Sequence, residues 1–152
     1  MRFLFAVTAA LILDSCDRPP SETPPGAERG VSEAVMGMYG AFQTRELAKV
    51  GDFMTEGSTC YNAATSEMLV GRKAVLDHFG AILAQHPPGE KWESSITDLR
   101  VTAQGDLALA TYRVTTSQGG AHAVAAVTHV FQRIGGRWLA IHLHRSWNAM
   151  PK

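Results

Sequence analysis

The sequence predicts an α+β domain in which helices pack in the concave face of a curved antiparallel sheet. Apolar residues recur at helical spacing in the first half of the folded region, and four long strand-like segments fill the second half. Helices followed by a meander of strands are typical of this class. With 152 residues, 45% of them hydrophobic, the chain has room for one such domain and its core.

The N-terminal segment has the features of a bacterial export signal. Arg2 precedes an uncharged run from Phe3 to Leu13, which is too short to span a bilayer but suits a signal peptide. Leu13-Asp14-Ser15-Cys16 resembles a lipobox, although Asp14 departs from its pattern, and a plain secretory signal is the alternative. We expect residues 1–16 to direct export to the cell envelope, with a lipid on Cys16 as a membrane anchor.

Residues 17–30 are predicted to form a tether between this anchor and the folded domain. The segment contains Pro19, Pro20, Pro24 and Pro25 and few apolar residues, a composition typical of an extended linker. The domain itself is expected over residues 31–147.

Apolar periodicity predicts helices in the first half of that domain. The first has an apolar face made of Val31, Val35, Met38, Tyr39 and Phe42. A shorter helix follows around Leu47 and Val50, and another begins after Gly71 and ends before Pro87-Pro88-Gly89. Short strands are predicted at Cys60–Tyr61 and at 68–70.

Everything after Lys91 is predicted to be antiparallel sheet. The strands are expected at 92–103, 107–116, 121–134 and 137–147. Gly105 and the Gly135-Gly136 pair lie in turns between them, where glycine tolerates positive φ.

Alternation along a strand predicts which side chains face the helices. On the last strand Leu139, Ile141, Leu143 and Arg145 share one side, predicted to be the inner one. On the strand before it, Val127, His129 and Phe131 share the inner side. His129 and Arg145 are therefore expected on the concave face, although either residue taken alone is more simply explained at the rim.

The other side of the last strand is predicted to be an amphipathic outer surface suited to a subunit contact. Its members are Trp138, Ala140, His142, His144 and Ser146, with Trp147 beside them. His142 and His144 lack an obvious third ligand, so no metal is expected. Fourteen basic residues balance fourteen acidic ones, which gives no overall field to attract nucleic acid.

The segment from Thr128 to Ser146 resembles the C-terminal hairpin of the association (hub) domain of calcium/calmodulin-dependent protein kinase II. That domain belongs to the nuclear transport factor 2-like, or SnoaL-like, superfamily. The shared motifs are the Gly136-Arg137-Trp138 turn and the His-x-His-Arg-Ser strand from His142 to Ser146. The resemblance extends over about residues 31–146 and implies a cone-shaped, cystatin-like fold.

The resemblance also implies a pocket that accepts small carboxylates. Its basic positions fall on Arg113, Arg145 and His129, the last where the family has arginine, and Tyr39 is expected to bind the ligand with them. The family further implies a homodimer or a larger ring. No cofactor is expected.

Two functions are compatible with such a pocket, and a third possibility is oligomerisation alone. One is an envelope-tethered, self-associating binding domain for a small anion. The other is a small isomerase, lyase or cyclase with His129 as general base and a donor drawn from Tyr39, Tyr61 and Tyr112. The acids Glu56, Asp77 and Asp98 are all predicted at loop or helix surfaces, and the lack of an inward acid favours binding over catalysis.

Overall fold

The computed structural model describes residues 22–62, 64–86, 89, 92–118 and 121–147, and it confirms the predicted α+β class. The helices are α1 (Ala27–Gln43), α2 (Leu47–Gly51) and α3 (Arg72–Ala84). The strands are β1 (Met54–Tyr61), β2 (Met68–Val70), β3 (Trp92–Gln104), β4 (Leu107–Gln118), β5 (Ala121–Ile134) and β6 (Arg137–Trp147). Among the described residues, none of the helices combines the length and the apolar character that a membrane crossing needs.

The first helix begins earlier than predicted. The predicted signal peptide, Cys16 and residues 17–21 of the tether lie outside the described residues. Helix α1 starts at Ala27, four residues before the predicted domain start at Val31. Pro24 and Pro25 precede it, and Ala27 is buried and donates its N–H to the Pro24 carbonyl at 3.2 Å. Residues 27–30 therefore belong to the folded domain and not to the tether.

The strands form one sheet in the order β2-β1-β6-β5-β4-β3. Strands β3 to β6 make the predicted antiparallel meander. Strand β1 pairs in parallel with β6 and antiparallel with β2, a junction that the local sequence pattern did not predict. Helix α1 packs on the concave face of this sheet, and its buried side chains join those of the strands in one core.

A β-bulge changes which side chains of β6 face that core. Val130 lies opposite His142 and Phe131 opposite Ala140, so Ile141 is the additional residue. A bulge shifts the alternation of the strand by one position. Trp138 and Ala140 before the bulge are consequently buried, as is Leu143 after it.

The predicted faces of β6 are therefore wrong before the bulge and right after it. Trp138 and Ala140 belong to the core instead of the outer surface, whereas Leu139 lies opposite the exposed Gln132. Leu143 and Arg145 keep their predicted inner positions.

Candidate functional site

A narrow cavity lies between the helices and the inner face of the sheet. It is lined by Met38, Tyr39, Phe42, Val50, Phe79, His129, Leu143 and Arg145. Its volume of about 20 Å³ has room for about one water-sized group. The walls are apolar except at Tyr39, His129 and Arg145, so these three residues determine what the cavity can bind.

Arg145 brings a positive charge to this cavity without an acidic partner. Its Nη2 donates to the Tyr39 hydroxyl at 3.0 Å, and its guanidinium lies 5.3 Å from the centre of the Trp147 ring. The Nε atom is buried without a hydrogen-bond partner. No salt bridge joins Arg145 to any acidic residue in the part of the chain that the structure describes.

His129 is hydrogen-bonded to a tyrosine that packs against Tyr39. The ring of His129 is only 1% exposed, and its Nδ1 is 2.9 Å from the Tyr112 hydroxyl. The Tyr112 ring lies edge-on to the Tyr39 ring, with 5.8 Å between the ring centroids, and the Tyr39 hydroxyl receives the bond from Arg145. The Nε2 atom of His129 is buried and has no partner.

Burial sets the protonation states of His129 and Tyr112. Loss of solvation, followed by the charge of Arg145 and by His142, lowers the pKa of His129 to about 3. Burial, with a smaller contribution from Tyr39, raises the pKa of the Tyr112 hydroxyl well above its ordinary value. His129 is thus neutral and Tyr112 protonated near neutral pH, and Arg145 supplies the positive charge of the cavity.

Residues 31–151 match the family model of the SnoaL-like domain. The chain belongs to the SnoaL-like family. No curated protein matches the sequence.

Solved structures agree with this assignment. Similar ones include an NTF2-like protein of unknown function from Pseudomonas putida KT2440, with 21% identity over 82% of this chain and 88% of that one and a TM-score of 0.74. A proposed dehydratase of the NTF2-like family from Streptomyces avermitilis has 20% identity over 83% and 99%, with a TM-score of 0.73. The association domain of CaMKII from C. elegans has 17% identity over 78% and 94%, with a TM-score of 0.66. The predicted NTF2-like fold is confirmed.

Arg113 does not reach the cavity of this SnoaL-like domain. On β4 the inward positions are Ala110, Tyr112 and Val114, all buried, and Arg113 alternates to the outer face. There its Nε lies 3.7 Å from the Asp98 carboxylate, and both side chains are exposed. The prediction that Arg113 lines the pocket with Arg145 and His129 is therefore wrong.

Tyr112 is the site residue that the prediction undervalued. It appeared only as one of three available donors, yet its hydroxyl bonds to Nδ1 of His129 and its ring packs against Tyr39. The signal was present in the sequence, because the same alternation that places Arg113 outward places Tyr112 inward.

The remaining candidates lie away from the cavity. Glu56, Asp77 and Asp98 have exposed side chains, although Glu56 lies on β1 and Asp98 on β3 instead of at the predicted loop or helix surfaces. No acidic residue lines the cavity. His142 bonds through Nδ1 to Thr59 Oγ1 at 2.8 Å. Within the described ranges, no group of three or more His, Cys, Asp or Glu side chains is arranged to hold a metal ion.

Trp147 does not lie on the predicted outer surface either. This residue packs on the guanidinium of Arg145 and so lies on the side of the cavity, not among the outer residues His142 and His144. Tyr61 of β1 is the aromatic residue that contacts both of those histidine rings.

A second cavity of about 60 Å³ lies beside the first and shares Phe79, Leu143 and Arg145 with it. Cys60 and His78 are among its other lining residues. Burial raises the pKa of the Cys60 thiol, and burial followed by the charge of Arg145 lowers the pKa of His78. A protonated thiol is a poor nucleophile, so this pair does not form an activated cysteine site.

Proposed function

We propose that this SnoaL-like domain binds a small anion whose carboxylate pairs with Arg145. The observation that carries the proposal is the half-buried guanidinium, which has no acidic partner among the described residues and a buried Nε without a hydrogen bond. A charge withdrawn from water destabilises the protein unless a counter-charge compensates it. The planar guanidinium fork is well suited to a carboxylate.

The size of the site favours a small ligand. The inner cavity has room for about one water-sized group, so one carboxylate oxygen is the largest polar group that enters without displacement of side chains. Arg145 also borders a surface groove lined by Tyr61, Asn62, Ser66 and His144. That groove gives the anion a route to the guanidinium from solvent.

Titration calorimetry of the full chain with formate and acetate tests this proposal. Ionic strength is held constant, and chloride serves as the reference anion. We expect saturable carboxylate binding that Arg145→Gln abolishes. Arg113→Gln is the matched control, because it makes the same chemical change on the outer face. The proposal fails if no carboxylate binds, or if both variants lose binding equally.

The domain is further proposed to form a homodimer through the outer face of the sheet. Support comes from the exposed apolar side chains Leu107 and Leu109 on that face, with the half-buried Val130 opposite Leu109, since contiguous exposed apolar surface marks interaction sites. A solved structure with this fold is also named an association domain.

Light scattering on the full chain tests the dimer. Leu109→Arg places a charge in the proposed interface and is expected to give a monomer. Met36→Arg is the control, because Met36 is an exposed apolar residue on helix α1, at 57% against 42% for Leu109. A monomeric wild-type chain, or dissociation by Met36→Arg alone, would contradict this interface.

The envelope location is proposed from the sequence. Cys16 follows an uncharged run of signal-peptide length. On expression in a bacterial host, we expect the protein in the membrane fraction and Cys16→Ser in a soluble fraction. Equal distribution of the two forms would refute lipid anchoring at Cys16.

A second candidate function is catalysis with His129 as general base. The unpaired Nε2 in the cavity favours it, as does the dehydratase proposed for a structural neighbour. A group whose pKa is about 3 is, however, a weak base at neutral pH. This function would be established if the wild-type protein converts a bound carboxylate and His129→Gln does not. Recovery of the bound carboxylate unchanged would exclude catalysis on that ligand.

A further inference from the structure

The hydrogen bond between Tyr112 and His129 has a direction, and the burial of Tyr112 determines it. Among the described residues, the Tyr112 hydroxyl has one hydrogen-bond partner, Nδ1 of His129 at 2.9 Å. Tyr112 is only 4% exposed, and a buried hydroxyl needs an acceptor for its hydrogen. The hydroxyl therefore donates to Nδ1, and Nδ1 accepts.

The reverse direction leaves a buried donor unused. If Nδ1 of His129 donated to Tyr112, the Tyr112 hydrogen would have no acceptor at hydrogen-bond distance among the described residues. A buried donor without an acceptor is destabilising.

We infer that His129 carries its hydrogen on Nε2 and that this N–H, together with Nε–H of Arg145, forms a two-donor site selective for an ionised carboxylate. The Nε2 and Nε atoms are the two buried side-chain polar atoms without a partner in the described part of the chain. Both residues line the same cavity. The inference rests on the proposed function for the presence of a ligand, and it adds which groups recognise that ligand.

This assignment gives Tyr112 and His129 separate roles. His129 contacts the ligand as a hydrogen-bond donor. Tyr112 is a positioning residue, because its hydroxyl group holds the histidine in one tautomer. The lone pair of the imidazole is occupied at Nδ1, so Nε2 has none with which to accept a proton. The arrangement therefore opposes the general-base function and selects against ammonium groups, which have no lone pair to accept from these donors.

The tautomer of His129 is measurable in the wild-type protein. Long-range proton–nitrogen correlation NMR on the full chain, labelled with ¹⁵N-histidine, distinguishes Nε2–H from Nδ1–H. His129→Gln assigns the signal, and the other five histidines serve as an internal reference. We expect Nε2–H. Detection of Nδ1–H overturns the inference, whatever the protein binds.

Tyr112→Phe tests the positioning role, with acetate as the probe. We expect the ring signals of His129 to shift toward the other tautomer and acetate affinity to fall by about 10-fold or more, as for loss of a hydrogen bond to a charged group. Unchanged affinity with an unchanged tautomer overturns the inference while the proposed function stands. If wild-type protein binds no acetate, the proposed function fails. The wild-type tautomer still decides the direction of the bond between Tyr112 and His129, even if Tyr112→Phe does not fold.

Discussion

Nη2 of Arg145 donates to the hydroxyl of Tyr39 at 3.0 Å, which joins the end of β6 to α1 across 106 residues of sequence. The guanidinium also lies 5.8 Å from the centre of the Tyr39 ring. The position of the cavity's positive charge therefore depends on how α1 packs on the sheet. A substitution that shifts this helix should also displace the guanidinium of Arg145.

Tyr39→Phe should destabilise the domain although it keeps the ring. The change removes the oxygen that accepts from Nη2 of Arg145, which leaves a guanidinium N–H at the cavity without its partner. We expect the free energy of unfolding in urea to fall by about 1–3 kcal/mol. Tyr61→Phe, at an exposed position on β1, should change it by less than about 0.5 kcal/mol. Equal effects of the two substitutions would mean that the Tyr39 hydroxyl bond contributes nothing specific.

The buried neutral histidine should make the domain unstable in acid. The pKa of His129 is about 3 in the folded protein and about 6.5 in the unfolded chain, so the unfolded chain binds more protons between these values. The contribution of neutral His129 to the free energy of unfolding is therefore fully present above about pH 6.5. It decreases by roughly 1.4 kcal/mol for each pH unit below that, until about pH 3. Burial also lowers the pKa of His78 and His142, which acts in the same direction.

The pH dependence is checked by urea unfolding at a series of pH values. His129→Gln cannot titrate, so its free energy of unfolding should decline less steeply between pH 6 and pH 4 than that of the wild type. His144→Gln, at an exposed position, controls for the loss of any histidine and should keep the wild-type slope. A parallel decline in wild type and His129→Gln would refute the assignment of this acid sensitivity to His129.

The sequence predicted the elements well because their signals are local. Helical spacing located α1 and α3, and turn glycines located the hairpins of β3 to β6. The parallel pairing of β1 with β6 joins segments about 80 residues apart, as in the bond from Ser58 to the Ala140 carbonyl. No periodicity within either strand encodes such a partner.

The sequence predicted some of the site residues but not all, because alternation along a strand shows the face of a residue only where the strand is regular. Alternation correctly placed His129 and Arg145 on the inner face. It gave the wrong face for Trp138, because Ile141 occupies a bulge that depends on the pairing with β5. Arg113 was assigned by resemblance alone, and the alternation of its own strand would have corrected that assignment and selected Tyr112.

Deletion of Ile141 should be tolerated far better than deletion of a regularly paired residue. Ile141 is the additional residue of the bulge, so its loss leaves Ala140 opposite Phe131 and His142 opposite Val130, and strict alternation then keeps both Trp138 and Leu143 inward. We expect this deletion variant to retain a cooperative thermal transition by circular dichroism. Deletion of Thr128, a paired residue of β5, turns either Val127 or His129 toward solvent and should abolish the transition. Loss of the transition in the Ile141 deletion would show that the bulge itself is required for the fold.

Two glycines of α1 should respond in opposite directions to the same substitution. Alanine is favoured over glycine inside a helix by about 1 kcal/mol, so Gly→Ala stabilises where space allows. At Gly40 no atom lies within 4 Å of the added methyl group, and Gly40→Ala should raise the free energy of unfolding. At Gly30 the methyl group would lie 2.8 Å from Cδ1 of the Trp138 ring.

That contact is too short for a Cβ, and the Trp138 ring is buried with little room to move. We expect overpacking to outweigh helix propensity, so that Gly30→Ala lowers the free energy of unfolding by about 1–3 kcal/mol. Urea unfolding of the two variants and of the wild type measures the sign of the change in the free energy of unfolding for each substitution. Stabilisation by Gly30→Ala would place Trp138 away from α1, and would thereby also contradict the β6 bulge that turns this ring into the core.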